Sequence, residues 1–86
     1  MDNQRLKKAI LEVINAQIRD NDPPETKKTL TRLQENGYSE EEATKLIGYV
    51  VATEVFAVFK EDRPYDENNY IAALRALPKL PWDKKA

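Results

Sequence analysis

The residues with which this chain could do chemistry are carboxylates: the run Glu40-Glu41-Glu42, the isolated Glu54, and Asp66. There is no histidine and no cysteine. Ser–His–Asp and Cys–His catalysis are therefore excluded for the isolated chain. The usual zinc ligands are also missing, so a metal would have to be held by acidic oxygens. Of these acids only Glu54 is out of place by type, because it interrupts the longest apolar-rich stretch, residues 39–60.

On a helical projection Glu54 falls among Ile47, Val50, Ala57 and Val58. An unpaired carboxylate there would be strongly unfavourable or would titrate to its neutral form. It therefore requires a partner, and Gln17, Tyr70, Tyr49 or an arginine are the kinds the chain offers. One reading makes Glu54 a catalytic or metal-binding carboxylate, with Glu41, Glu42 or Asp66 as helpers. The other makes it half of a buried polar pair, with Gln17 or Tyr70, that fixes helix register. A single acid without a base, nucleophile or second acid near it in sequence forms no recognisable catalytic set. The structural reading is favoured, with no catalytic, cofactor or metal residue assigned.

The elements that must position Glu54 are helices. The first runs from Asp2 or Asn3 to Arg19, with Leu6, Ala9, Ile10, Val13 and Ile14 on one stripe, widened by Leu11 and Ile18. Gln17 lies near the centre of that stripe one turn on. A second helix is expected with Asp22 as cap, Pro23 in its first position, and Glu25 completing the capping pattern. It turns Leu30 and Leu33 inward with Thr26 and Thr29 beside them, and presents Lys27, Lys28, Arg32 and Glu35 to solvent. Gly37 ends it, with Tyr38 folding back onto Leu33. Ser39 and Glu42 then form a capping box, and the acids at 40–42 face the positive end of the helix dipole. The third helix is apolar nearly all round: Ala43, Leu46, Ile47, Val50, Val51, Ala57 and Val58 on one side, Tyr49, Ala52, Val55, Phe56 and Phe59 on the other. That pattern predicts a central helix buried on more than one side. Pro64 stops it, Asp66 caps a fourth helix bearing Tyr70, Leu74 and Leu77, and Pro78 opens an extended tail carrying Leu80 and Trp82.

Bulk properties narrow the function. With 14 basic and 15 acidic residues and a net charge of −1, there is no concentrated basic face for nucleic acid or a membrane surface. Lys84 and Lys85 are the only local bias. The apolar run 47–59 is short of the roughly 20 residues that span a bilayer, and residues 1–8 lack a signal-peptide core. A single cytoplasmic domain is expected.

Three resemblances bear on the chain. Asn36-Gly37-Tyr38, between the second and third helices, resembles the turn of the ubiquitin-associated domain. Asn36 stands where that family usually has methionine, and the following helix is much longer. Residues 75–81 match a proline-rich SH3 ligand pattern, but Arg75, Ala76 and Leu77 are expected in a helix and cannot be extended as well. The broadest resemblance is to a small helical domain of uncharacterised bacterial proteins. It rests on Val13-Ile14 with Gln17, Asp22-Pro23-Pro24, Leu30, Leu33, Gly37-Tyr38, Glu42-Ala43, Ile47-Gly48, Glu54, and Arg63-Pro64-Tyr65-Asp66 with Tyr70, Leu74 and Leu77. Relatives often carry a His-Glu-x-x-His-like stretch, which implies a metal site in them. Here those positions are Glu41 and Lys45, so no metal site carries over.

The reading that results is an all-α, compact four-helix domain with a long central third helix. Its expected function is a small non-catalytic protein-interaction module, with a foreign protein or a second copy as partner. The candidate surface is Trp82, Leu80, Tyr49 and Phe56. The alternatives are a carboxylate-dependent metalloprotein or enzyme centred on Glu54, and a ubiquitin-associated-like module at Gly37-Tyr38.

Overall fold

The computed structural model describes residues 3–83. The chain folds into four helices, α1 (Asn3–Asp20), α2 (Pro24–Glu35), α3 (Glu40–Glu61) and α4 (Glu67–Ala76), and no strand occurs among the described residues. Of the two caps expected for α1, Asp2 lies outside the described residues.

Helix ends follow from local backbone chemistry. Three of the four helices stop on a residue in the left-handed region: Asn21 (φ 52°), Gly37 (φ 103°) and Asp62 (φ 52°). In each case the next residue donates its N–H back into the last turn, Asp22 to Gln17, Tyr38 to Leu33 and Arg63 to Val58. This is the reversal that satisfies orphan carbonyls at a helix C-terminus. α4 stops differently: Leu77 precedes Pro78 and is extended (φ −56°, ψ 142°), as the proline ring requires of its neighbour.

The starts follow the same logic. The Ser39–Glu42 capping box is complete, with Ser39 Oγ accepting from Glu42 N at 3.0 Å and Glu42 Oε1 accepting from Ser39 N at 2.9 Å. Asp66 caps α4 by accepting from Asn69 N at 3.1 Å. α2 begins one residue later than expected, with Pro24 in the first turn and no side-chain cap from Asp22. The reason is that Pro24 pushes Pro23 into the extended region (φ −77°, ψ 150°).

The core is Ile14, Leu33, Ala43, Ile47, Val50, Val51, Tyr70, Leu74 and Leu77, with Thr26 and Thr29 buried beside Leu33. α2 and α3 each pack on all three other helices, whereas the backbones of α1 and α4 do not approach one another. Arg32, expected in solvent, instead donates to Leu77 O at 2.8 Å and Leu74 O at 3.1 Å. It places a cation on the negative end of α4. The tail is a pair of turns rather than an extended strand, held by Lys79 N to Ala76 O and by Asp83 N to Leu80 O. Arg75 and Ala76 are helical and Leu77 is buried, so the SH3-like stretch is not presented as a ligand.

The largest departure from expectation concerns α3. It is central in its contacts but buried on one side only. Its second apolar side stays in water, with Tyr49, Val55, Phe56 and Phe59 all exposed. Leu6, Leu11 and Val13 on α1 are exposed as well, leaving Ile14 as the one fully buried residue of its stripe. The physical reason is that α4 lies against α2 and α3 and covers neither surface.

Two substitutions test the stop geometry. Gly37 has open space where a Cβ would go, so Gly37→Ala should cost only the backbone strain, about 1–2 kcal/mol. Asp62→Gly should relieve strain and raise stability by about 0.5–1 kcal/mol. Denaturant midpoints check both, and equal stability for all three proteins would contradict the assignment.

Candidate functional site

Glu54 is buried, with 6% of its surface exposed, and it is fully partnered. Arg63 approaches it with two nitrogens, Nη1 to Oε2 at 2.9 Å and Nη2 to Oε1 at 3.2 Å. The backbone N–H of Asp66 donates to Oε2 at 3.1 Å and Asn69 Nδ2 donates to Oε1 at 3.3 Å. The left-handed stop at Asp62 turns the chain so that Arg63 reaches back along α3. One carboxylate thus joins α3, its connection to α4, and the first turn of α4.

The expected pairing of Glu54 with Gln17 or Tyr70 is corrected by these contacts. Gln17 and Tyr70 form a separate polar junction. Gln17 Oε1 accepts from Tyr70 Oη at 2.8 Å and from Thr26 Oγ1 at 2.7 Å. It therefore links α1, α2 and α4, and connects the two helices whose backbones do not meet. No buried side-chain nitrogen or oxygen is left without a partner among the described residues.

The electrostatics agree with a structural carboxylate. The Arg63 guanidinium holds the Glu54 carboxyl below the usual carboxylate range, against the opposite push of burial, and the donors from Asp66 and Asn69 add to the lowering. Arg63 is raised in turn, chiefly by its hydrogen bond to Glu54. Burial raises Tyr70. Burial, with the nearby charges of Glu67, Glu54 and Asp22, pushes Tyr65 up to about 12. None of these groups is poised for proton transfer near neutral pH. Both oxygens of Glu54 are occupied, Glu42 and Asp66 are engaged as caps, and Glu41 is exposed. No group of three or more acidic side chains is placed to hold a metal among the described residues.

A second feature adjoins this junction. An open groove of about 290 Å³ runs between α1 and the C-terminal half of α3. Val13, Val51, Val55, Val58, Phe59 and Tyr65 line it, with Gln17, Glu54 and Tyr70 at its base. Phe59 remains 79% exposed at its rim, and Phe56, one turn back on α3 and outside the lining, is 77% exposed. Among the surface residues expected from sequence, Tyr49 and Phe56 are exposed on the outer side of α3 with Phe59, outside the groove's lining. Trp82 packs edge-on against Tyr49 with ring centroids 5.6 Å apart, and Leu80 is half-buried against the core. Sequence reasoning missed Phe59, Val13, Val55 and Tyr65 as surface. It admitted an arginine as a partner of Glu54 without singling out Arg63, for which the signal was an arginine directly after the helix stop.

No protein-family model matches this chain, and no curated protein or solved structure is significantly similar to it. Among the described residues no helix is long and apolar enough to cross a membrane.

Three outcomes test the junction. Glu54→Ala should destabilise by about 1–3 kcal/mol, and Glu54→Leu by less, since it refills the space. Arg63→Met alone should be worse than Glu54→Leu with Arg63→Met together, because the single change leaves a buried carboxylate without its cation. Because the folded-state pKa of Glu54 is lowered, the unfolded chain binds its proton first. The stability Glu54 supplies is therefore present above its ordinary value of 4.5 and lost as pH falls below it. Chemical denaturation against pH should show this loss in the wild type and a flatter profile in Glu54→Gln.

Proposed function

We propose that this protein is a small, non-catalytic interaction module whose binding surface is the uncovered face of α1 and α3. The observation that carries the reading is the pair Phe56 and Phe59, three-quarters exposed on a helix with no charged surface residue between Lys45 and Lys60. Large apolar side chains clustered in water beside a groove mark association sites on small proteins. Glu54 and Arg63 support that face by fixing the end of α3 and the start of α4. A cytoplasmic setting fits a chain without cysteine. The resemblance to the bacterial helical domain would make it a member without that domain's histidines.

The other readings fare worse against the geometry. Docking at Gly37-Tyr38 would use a turn already explained as a helix stop, with Tyr38 packed half-buried against the core. A carboxylate enzyme or metalloprotein at Glu54 would first have to displace Arg63.

The test is comparative capture. Tagged wild type should retain a protein, untagged copies of itself included, that the Phe56→Ser, Phe59→Ser double variant does not retain. The variant should keep wild-type helicity and a midpoint within about 0.5 kcal/mol, as expected of surface changes. Identical retention by both proteins would overturn the reading.

A further inference from the structure

The occupant of this face can be argued further, on the footing of the interaction reading above: we infer that it is a second copy of the same chain, related by a twofold axis. The first observation is spacing. Tyr49, Ala52, Phe56 and Phe59 recur at intervals of three, four and three residues along the outer side of α3. Leu6, Ala9, Val13 and Ala16 repeat the same intervals on α1. This is the a/d pattern by which one helix receives another, and neither seam is fully covered within the protomer.

The second observation is shape. The face holds both halves of one contact side by side. Phe56 and Phe59 form a ridge, and beside it lies a recess lined by Val13, Val51, Val55, Val58 and the inner side of Phe59, above the base of Gln17, Glu54 and Tyr70. A twofold rotation sets the ridge of each copy into the recess of the other, as an isologous interface requires. A foreign partner would need no such pairing of ridge and recess on one surface.

The third observation is area and charge. Aromatic side chains offer roughly 150–250 Å² each. At their observed exposures Leu6, Val13, Val55, Phe56, Phe59 and Tyr65 leave on the order of 700 Å² in water, close to the roughly 800 Å² each partner gives to a standard interface. The only charge on α3 between Lys45 and Lys60 is Glu54, which is buried and paired. The ridge therefore carries nothing with which to select an oppositely charged partner, while an apolar surface matches its own copy.

Sedimentation equilibrium of the full chain tests this. The mass should rise from 9.9 kDa towards twice that value with concentration, and Phe59→Asp should remain monomeric with unchanged helicity. Because the chain has no cysteine, Val13→Cys and Phe59→Cys proteins can be mixed and oxidised. A crosslinked heterodimer should form in preference to either homodimer, since the twofold sets Phe59 of one copy against Val13 of the other. A wild type that stays at 9.9 kDa up to millimolar concentration would overturn the second-copy inference. So would a dimer unaffected by Phe59→Asp. If the wild type is monomeric yet the Phe56→Ser, Phe59→Ser variant still loses a captured cellular protein, only this inference falls and the interaction reading stands. If capture is also unchanged, both fall.

Discussion

The arrangement of this protein depends on one ion pair placed at a helix stop. Glu54 and Arg63 lie nine residues apart, too far along a continuous helix to meet. They meet because Asp62 turns the backbone left-handed and sends the chain back along α3. Once joined, the carboxylate also accepts the first N–H of the Asp66 cap and the Asn69 amide. The direction in which α4 leaves α3 is thereby tied to a carboxylate near the middle of the domain. A buried ion pair is weak evidence for stability in itself, but removing one partner leaves the other uncompensated. Here its clearest effect is to specify where α4 goes.

That placement has a consequence for the rest of the molecule. α4 packs against α2 and α3 and stays away from α1. The groove between α1 and α3 is left open, and Gln17 meets Tyr70 only at its base. A fourth helix lying in that groove would have covered Val13, Val55 and Phe59 and closed the core. The same pair that fixes the fold therefore leaves an apolar face available. In a chain of 86 residues, where core area is scarce, two phenylalanines in water withhold apolar surface from the core.

The elements were legible in sequence because their signals are local. The capping box at Ser39 and Glu42, the glycine stop at Gly37, the Asp66 cap and the pre-proline end at 77–78 each act within a few residues. Four helices and an inward-facing Glu54 follow from those signals and from 3.6-residue periodicity. What was not legible depends on which helices touch. Periodicity shows that α3 is apolar on two sides, but it cannot show that one side has no neighbour. Glu54 was set opposite Gln17 in the sequence reading for the same reason. Both are polar groups on inward stripes, and the choice between them depends on the left-handed turn at Asp62. Aspartate signals such a turn far less strongly than glycine does at position 37. Arg32 was placed in water because α2 carries it on the margin of its polar face, where nothing local points to the end of α4.

Glu54 is a structural carboxylate, and the proposed association falls to a separate apolar face. A dilution series followed by backbone and side-chain NMR tests that division directly. The account predicts concentration-dependent shifts at Val13, Val55, Phe56 and Phe59, with Arg63 and Asn69 unchanged. Shifts centred on Arg63 and Asn69, or a spectrum that does not change with concentration or on adding cell extract, would contradict it.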